Sequence, residues 1–501
     1  MPHKRPHCNR DARFPALISG LAVSQIVGTL FVRQSNLAIL DQNQALSAAG
    51  WFALPAGPAS ESLRTLAAAF WGGLFYTLSI GSVLTLATWT VLQLCKYLFP
   101  GNRRVLLIPI VGWAVLLWQL NRNGTTLFPT LFVFFVPLVT AITSRTTRSS
   151  APDRVRSWLW CLPVLVLIGL TALWSTQLSK GLFITIRDHV LLSNPLGRTV
   201  NNFYYRYTLY AAEPFKSFDQ KSIRTCHLEA FSPSSMARRL TERLARHDVL
   251  TIADKALADL LIRQTNDAIA LVSPRGRSIT VTPNAFFGNP AQWLKAFSKM
   301  EDRYAAFRQL TFAGVLIGFP VLLYVSVYGV LHLFAGMLFT SRRATWIASG
   351  ACLVLGVLLF VPMLGGRAAV IPPEEMGTAL ASDDWTRRVM VLRQIEEHAM
   401  EIARFPHYKN LLQSPLVVER YWLARALACS HTPETYQDLL GLMNDAHPNV
   451  VCQAYFALGR RGDRAAVEPI KKKMVQSDHW YTQWYGYNAI RKLGWYQTTS
   501  K

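Results

Sequence analysis

Long apolar runs dominate the first three-quarters of the chain, and each comes close to the roughly 20 residues needed to cross about 30 Å of hydrocarbon. Seven are predicted as membrane helices: Phe14 to Val32, Leu66 to Leu94, Val105 to Asn121, Leu127 to Thr143, Trp158 to Ser175, Thr311 to Phe339 and Ile347 to Leu364. The third and fourth are joined only by Arg122-Asn123-Gly124-Thr125-Thr126, whose Asn-Gly favours a turn, so they read as a helical hairpin. The first run lacks a small-residue cleavage site and is followed by polar Arg33-Gln34-Ser35, which marks a retained anchor rather than a signal peptide.

The pattern changes in two polar regions, 176–310 and 365–501. In the first, Ser234 to Arg246 predicts a basic amphipathic helix and Val249 to Ile252 a short strand. Ala268 to Val272 and Ser278 to Thr282 flank the turn signal Ser273-Pro274-Arg275-Gly276 and predict a hairpin. In the second, apolar positions return at helical spacing with a period near 31: Ala426-Leu427-Ala428 precedes Ala457-Leu458-Gly459, and Leu439 and Met443 precede Ile470 and Met474. The predicted fold is an α-helical polytopic membrane protein of about seven transmembrane helices. It carries a small extracytoplasmic α+β domain and a C-terminal α-solenoid. The domains read as a five-helix membrane part at 1–175 (helices near 14–32, 66–94, 105–121, 127–143 and 158–175), the α+β domain at 176–310, two further membrane helices within 311–364, a linker at 365–381 and a repeat domain at 382–501.

Charge fixes the expected orientation. The chain has 52 Lys plus Arg against 29 Asp plus Glu, a net +23, yet only 16% of its residues are charged, below the roughly 25% of soluble domains. Lys4, Arg5, Arg10, Arg13, Lys96, Arg103, Arg104, Arg145, Arg148, Arg154, Arg156, Arg342 and Arg343 all fall on one side of an alternating seven-helix arrangement. The opposite short loops hold only Arg33, Arg64 and Arg122. Basic short loops stay cytoplasmic, so the N-terminus is expected inside and both polar regions outside, the periplasm if the membrane is a bacterial inner membrane. Basic residues outnumber acidic ones in 176–310 as well. Long domains translocate regardless of charge, and this excess favours acidic neighbours such as lipid headgroups or an anionic envelope polymer.

The segment Asp445-Ala446-His447-Pro448-Asn449-Val450-Val451, then Ala454, Ala457-Leu458-Gly459-Arg460-Arg461-Gly462-Asp463 and Ala465-Ala466 up to Pro469-Ile470, resembles the HEAT-like repeat of the phycobilisome-lyase type. The resemblance covers about 120 residues and is close in this one unit; the unit from Ser414 to Met443 is degenerate, and those beginning at Asp383 and Asp478 are weaker. The whole chain resembles bacterial multi-spanning membrane proteins with a HEAT-like tail. The resemblance implies stacked helix pairs that bind a protein partner. It carries no lyase chemistry across, and Cys429 and Cys452 read as core.

Candidate chemistry is sparse. The apolar runs contain almost no ionisable side chain, and His332 reads as a packing residue, which argues against proton-coupled transport. Gly72-Gly73, Ser79, Gly81 and Ser82 allow close helix contact, inside the bundle or with a partner. No catalytic, cofactor or metal site is legible; Cys226 beside His227 lacks ligand spacing, and Asp383-Asp384 reads as a helix cap. Asp41 and Glu61 could serve an enzyme acting on lipid-linked sugar, the alternative to a noncatalytic scaffold; a sensor with a separate output partner is a third reading. Two aromatic groups stand out as surfaces. Phe203, Tyr204, Tyr207 and Tyr210 read as an interfacial helix face. Trp480, Tyr481, Trp484, Tyr485 and Tyr487, with Trp495, form an arc wider than docking on one neighbour requires, so they are expected to meet something beyond the preceding repeat. The expected partners are membrane lipid, a protein bound by the repeats and an anionic envelope polymer, with no nucleic acid and no cofactor.

Overall fold

The computed structural model describes residues 14–99, 102–146, 161–176, 182–229, 231, 234–265, 268–364 and 370–498. Lys4, Arg5, Arg10, Arg13, Arg148, Arg154 and Arg156, the start of the fifth apolar run and the first part of the linker lie outside them. The chain forms two compact units, one of residues 1–34, 69–179 and 302–360 and one of 35–68, 180–301 and 361–501.

Among the described residues six helices are long and apolar enough to cross a membrane: Pro15–Ala48, Leu66–Lys96, Arg104–Asn121, Leu127–Arg145, Ala305–Leu338 and Ser341–Val361. The chain is therefore a multi-pass membrane protein. A shorter apolar helix, Cys161–Ser175, coincides with the fifth predicted run. Many large apolar side chains on these helices are exposed, including Ile108, Trp118, Met337 and Leu358, as lipid-facing positions must be. Inside the first unit, Tyr76, Phe132 and Phe307 are buried in one aromatic cluster with Phe128. The small residues of the second run serve contacts within this unit. A Cβ on Gly73 would lie 2.6 Å from the Thr29 backbone nitrogen, so this crossing requires glycine. His332 stacks on Tyr328 and faces Thr345 at 3.4 Å.

The first helix is longer than its apolar run, ending at Ala48. Nothing breaks it before Gly50, and Asn36, Leu40, Asn43 and Leu46 continue one buried face at helical spacing. From Ser35 onward it belongs to the second unit.

That second unit contains the sheet and the C-terminal helices. Five strands, β1 (Arg224–Glu229), β2 (Val249–Thr251), β3 (Leu260–Thr265), β4 (Ala268–Val272) and β5 (Ser278–Val281), lie in the order β2-β1-β3-β4-β5. β1 is parallel to both β2 and β3, and β3-β4-β5 are antiparallel. The helix Ser234–Ala245 makes the crossover from β1 to β2. Strand alternation divides two cores. Val249, Leu260 and Ile262 pack with Leu240, Phe286 and Phe297, whereas Leu250 and Leu261 pack with Leu46 and Trp51 of the segment after the first span.

Four C-terminal helices, Trp385–Glu397, Val417–Leu427, Pro448–Arg461 and Trp480–Lys492, pack in a row, each on the next. The same loop precedes each of them every 31 or 32 residues. A side-chain oxygen of Ser382, Ser414, Asp445 or Ser477 accepts from the backbone N–H two residues on. Six residues on, Arg388, Arg420 and Gln483 donate back to the Ser382, Ser414 and Ser477 carbonyls. Arg388 also pairs with Glu419, and Arg420 with Asp445, so each arginine ties its own loop to the following unit. Asp384 caps its helix by accepting from the Thr386 N–H. Gly462 ends the third helix at φ +85°, and Asp463 caps the turn after it. A Cβ on Gly459 would lie 3.0 Å from the Ala489 Cα, so glycine sets the spacing of the third and fourth helices.

Candidate functional site

The two aromatic groups meet each other. The helix Pro195–Ala212, capped by Asn194, packs on Trp480–Lys492. Tyr205 meets Tyr481 edge-on at 4.8 Å, and Tyr210 meets Trp480 at 5.2 Å. Arg206 pairs with Asp478 at 2.9 Å, and the Tyr210 hydroxyl bonds the Ser62 hydroxyl. Phe203 and Tyr207 are in ring contact on the same helix, while Tyr204 is 48% exposed. Trp480 and Tyr487 are buried; Tyr481, Trp484, Tyr485 and Trp495 are half-buried. Trp495 sits edge-on to Tyr487 with the Lys471 ammonium over its ring.

The stretch 182–212 touches all four helices of the row in turn. His189 lies 5.5 Å from Trp385 of the first. Arg187 sits 3.9 Å over the Tyr421 ring of the second, where Trp422 also donates to the buried Asp188 carboxylate at 2.8 Å. Asn201 donates to Asn449 of the third, and the tyrosines cover the fourth. A buried polar seam results. Asn201 Oδ1, His447 Nε2 and both His479 ring nitrogens have no hydrogen-bond partner among the described residues. Burial lowers the pKa of both imidazoles to about 4, so they are neutral at pH 7.

Two glutamines hold the segment after the first span. Gln483 accepts from the Ala56 N–H (2.8 Å) and donates to the Ala56 carbonyl (2.9 Å). Gln497 does the same to Phe52, at 2.9 and 3.2 Å, and also donates to the Tyr487 hydroxyl. Sequence reasoning missed this clamp. Its one signal was a polar Gln483 inside an otherwise apolar helical arc.

Beside the clamp lies an open cavity of about 390 Å³ lined by Arg224, Arg246, Lys295 and Arg491, by two carboxylates, Asp219 and Asp248, and by His247. Asp248 adopts φ +57° at the entry to β2, a left-handed conformation that Asp tolerates better than most residues. Tyr487 donates to its carboxylate at 2.5 Å and Arg491 Nε at 3.0 Å. Burial nevertheless raises its pKa. Asp219 is held low against the opposing effect of burial by the Ser217 and Ser298 hydroxyls, each at 2.6 Å. Arg491 is fully engaged, donating also to the Trp495 and Arg246 carbonyls. Arg224 is different: its Nε is buried and has no hydrogen-bond partner among the described residues.

Asp41 and Glu61 are both exposed, on the separate helices Phe14–Ala48 and Gly57–Ser62. Cys226 is buried in the sheet and His227 faces the Ile252 carbonyl. Cys452 is buried and Cys429 partly so. No group of three or more His, Cys, Asp or Glu side chains suited to a metal occurs among the described residues. The chain matches no family model, no curated protein and no solved structure.

Proposed function

We propose that the protein is a noncatalytic membrane-anchored scaffold, in which seven crossings carry a platform of HEAT-like repeats on the non-cytoplasmic face. The observation that supports this reading is the composition of the second unit. It draws together 35–68, 180–301 and 361–501, three stretches separated in sequence by apolar helices. Segments that fold into one unit share one side of a bilayer, so an even number of crossings separates each from the next. Among the described residues two long apolar helices lie between 301 and 361, but only three between 68 and 180. Parity is restored when Cys161–Ser175 also crosses, which gives seven. The basic short loops then all lie opposite the polar unit, as a cytoplasmic N-terminus requires.

In this reading one side of the repeat row is filled by the chain's own 182–212 stretch, and the outer helices Pro433–Leu442 and Val467–Gln476 offer the surface for a protein partner. A bacterial inner membrane, with the repeats in the periplasm, is the setting we propose. Photocrosslinkers at exposed Gln437 and Lys472, used in native membranes, test it. The scaffold reading expects both positions to join the same protein, while Asp41→Asn with Glu61→Gln leaves the gene's cellular phenotype intact. A phenotype lost with those carboxylates, without crosslinks, would favour an enzyme of lipid-linked sugar.

A further inference from the structure

The cavity beside the clamp has the chemistry of an anion site. Its four cationic side chains against two carboxylates leave two positive charges in excess. Both carboxylates are already committed. Asp219 accepts from two serine hydroxyls, and Asp248 from Tyr487 and Arg491. Arg491 is consumed by Asp248 and two carbonyls. That leaves Arg224, Arg246 and Lys295 to meet a ligand. Arg246 and Lys295 are exposed at the rim. Arg224 lies deeper, its guanidinium 5.4 Å from the Phe218 ring centroid and its Nε unpartnered among the described residues. Among the described residues no carboxylate is hydrogen-bonded to its guanidinium, and an oxyanion in the cavity it lines would supply acceptors that it lacks.

We propose that this cavity binds a phosphoryl group. A phosphate monoester carries about −1.5 to −2 charges at neutral pH and three acceptor oxygens, which matches the excess of two cations; a single carboxylate would leave one uncompensated. The planar fork of arginine suits phosphate oxygens bidentately. The volume, near the lower end of the roughly 300–1,000 Å³ typical of ligand pockets, admits a small phosphorylated molecule or a lipid headgroup but excludes a folded domain. The ligand would touch the sheet through Arg224, the turn before β2 through Arg246 and the helix Pro290–Glu301 through Lys295, so binding would join these three elements.

The test is calorimetric titration of the full-length protein in detergent with inorganic phosphate and pyrophosphate, beside flotation with phosphatidylcholine vesicles with and without phosphatidate. Saturable one-to-one binding is expected in at least one arm, soluble anion or anionic vesicle, and the responding arm identifies the source of the phosphoryl group. Lys295→Ala and Arg246→Ala, both at exposed positions, should each weaken it about tenfold, the scale of one charge-assisted hydrogen bond. Arg238→Ala, at an exposed position and paired with Glu242, should leave it unchanged. Arg224→Lys, checked for folding by circular dichroism, should weaken it further. Absence of saturable binding in both arms, or equal binding by all variants, would overturn the proposal.

Discussion

Gln483 and Gln497 each place both ends of one side-chain amide on the main chain of the segment after the first span. Each replaces two backbone bonds that a strand or helix would have supplied at Ala56 and Phe52. Gln497→Leu keeps the bulk but leaves the Phe52 N–H and carbonyl without their partner. A loss of about 1–3 kcal/mol is expected, read as an earlier urea midpoint in detergent; an unchanged midpoint would mean water substitutes for the amide. Tyr487→Phe acts on the neighbouring contact. It removes the 2.5 Å donor to Asp248 and leaves a largely buried carboxylate with less support, so a loss of the same order is expected, with the Asp248 carboxyl titrating at higher pH. Neither glutamine nor Asp248 was singled out by the sequence. Local periodicity marks which residues are buried, and it carries no information on which distant backbone a buried amide will meet.

Elements with a strong local signature were legible. The basic helix near 234–246, the strand at 249–252 and the hairpin around Ser273-Pro274-Arg275-Gly276 all stand within a residue or two of their expected places. β1 and β3 were not foreseen. They are paired centrally, and the Cys226-His227 dipeptide and the polar end of β3 blur the alternation that marks a strand. The period near 31 was visible in the small and apolar positions, Ala426-Leu427-Ala428 against Ala457-Leu458-Gly459, whereas the loop that recurs with it, with Ser382, Ser414, Asp445 or Ser477 in the same role, was not. The covering of the last helix by 195–212 was not visible. Both aromatic faces were recognised separately, but their pairing is a long-range contact. At this scale Gly459→Leu should force the third and fourth row helices apart, at a cost of about 1–3 kcal/mol, seen as faster hydrogen exchange in Trp480–Lys492.

The buried seam between 182–212 and the row makes stability depend on pH. His447 and His479 have folded pKa values near 4, below the value of about 6.5 in an unfolded chain. Between those values the unfolded chain binds protons that the folded one does not. Stability is therefore complete above about pH 6.5 and falls as pH drops toward 4, by at most about 1.4 kcal/mol per pH unit for each imidazole. Urea unfolding at pH 7 and pH 5 should show this loss, and His479→Asn should reduce the difference; an equal difference in the variant would place the proton uptake elsewhere.

At the scale of the whole molecule, the proposal rests on three separated stretches folding as one unit, which it places on one face of the membrane. From that condition we propose a seventh crossing at 161–175 and, with the basic loops, a cytoplasmic N-terminus. The most direct measurement is labelling of single cysteines in intact cells with a membrane-impermeant maleimide, at Glu61, Tyr204 and Asn488 in the three stretches and at Arg104 and Arg343 in the basic loops, all exposed positions. The account predicts that the first three react from outside and the last two only after the membrane is opened. Reaction of Glu61, Tyr204 and Asn488 from different sides, or of Arg104 or Arg343 from outside, would contradict it.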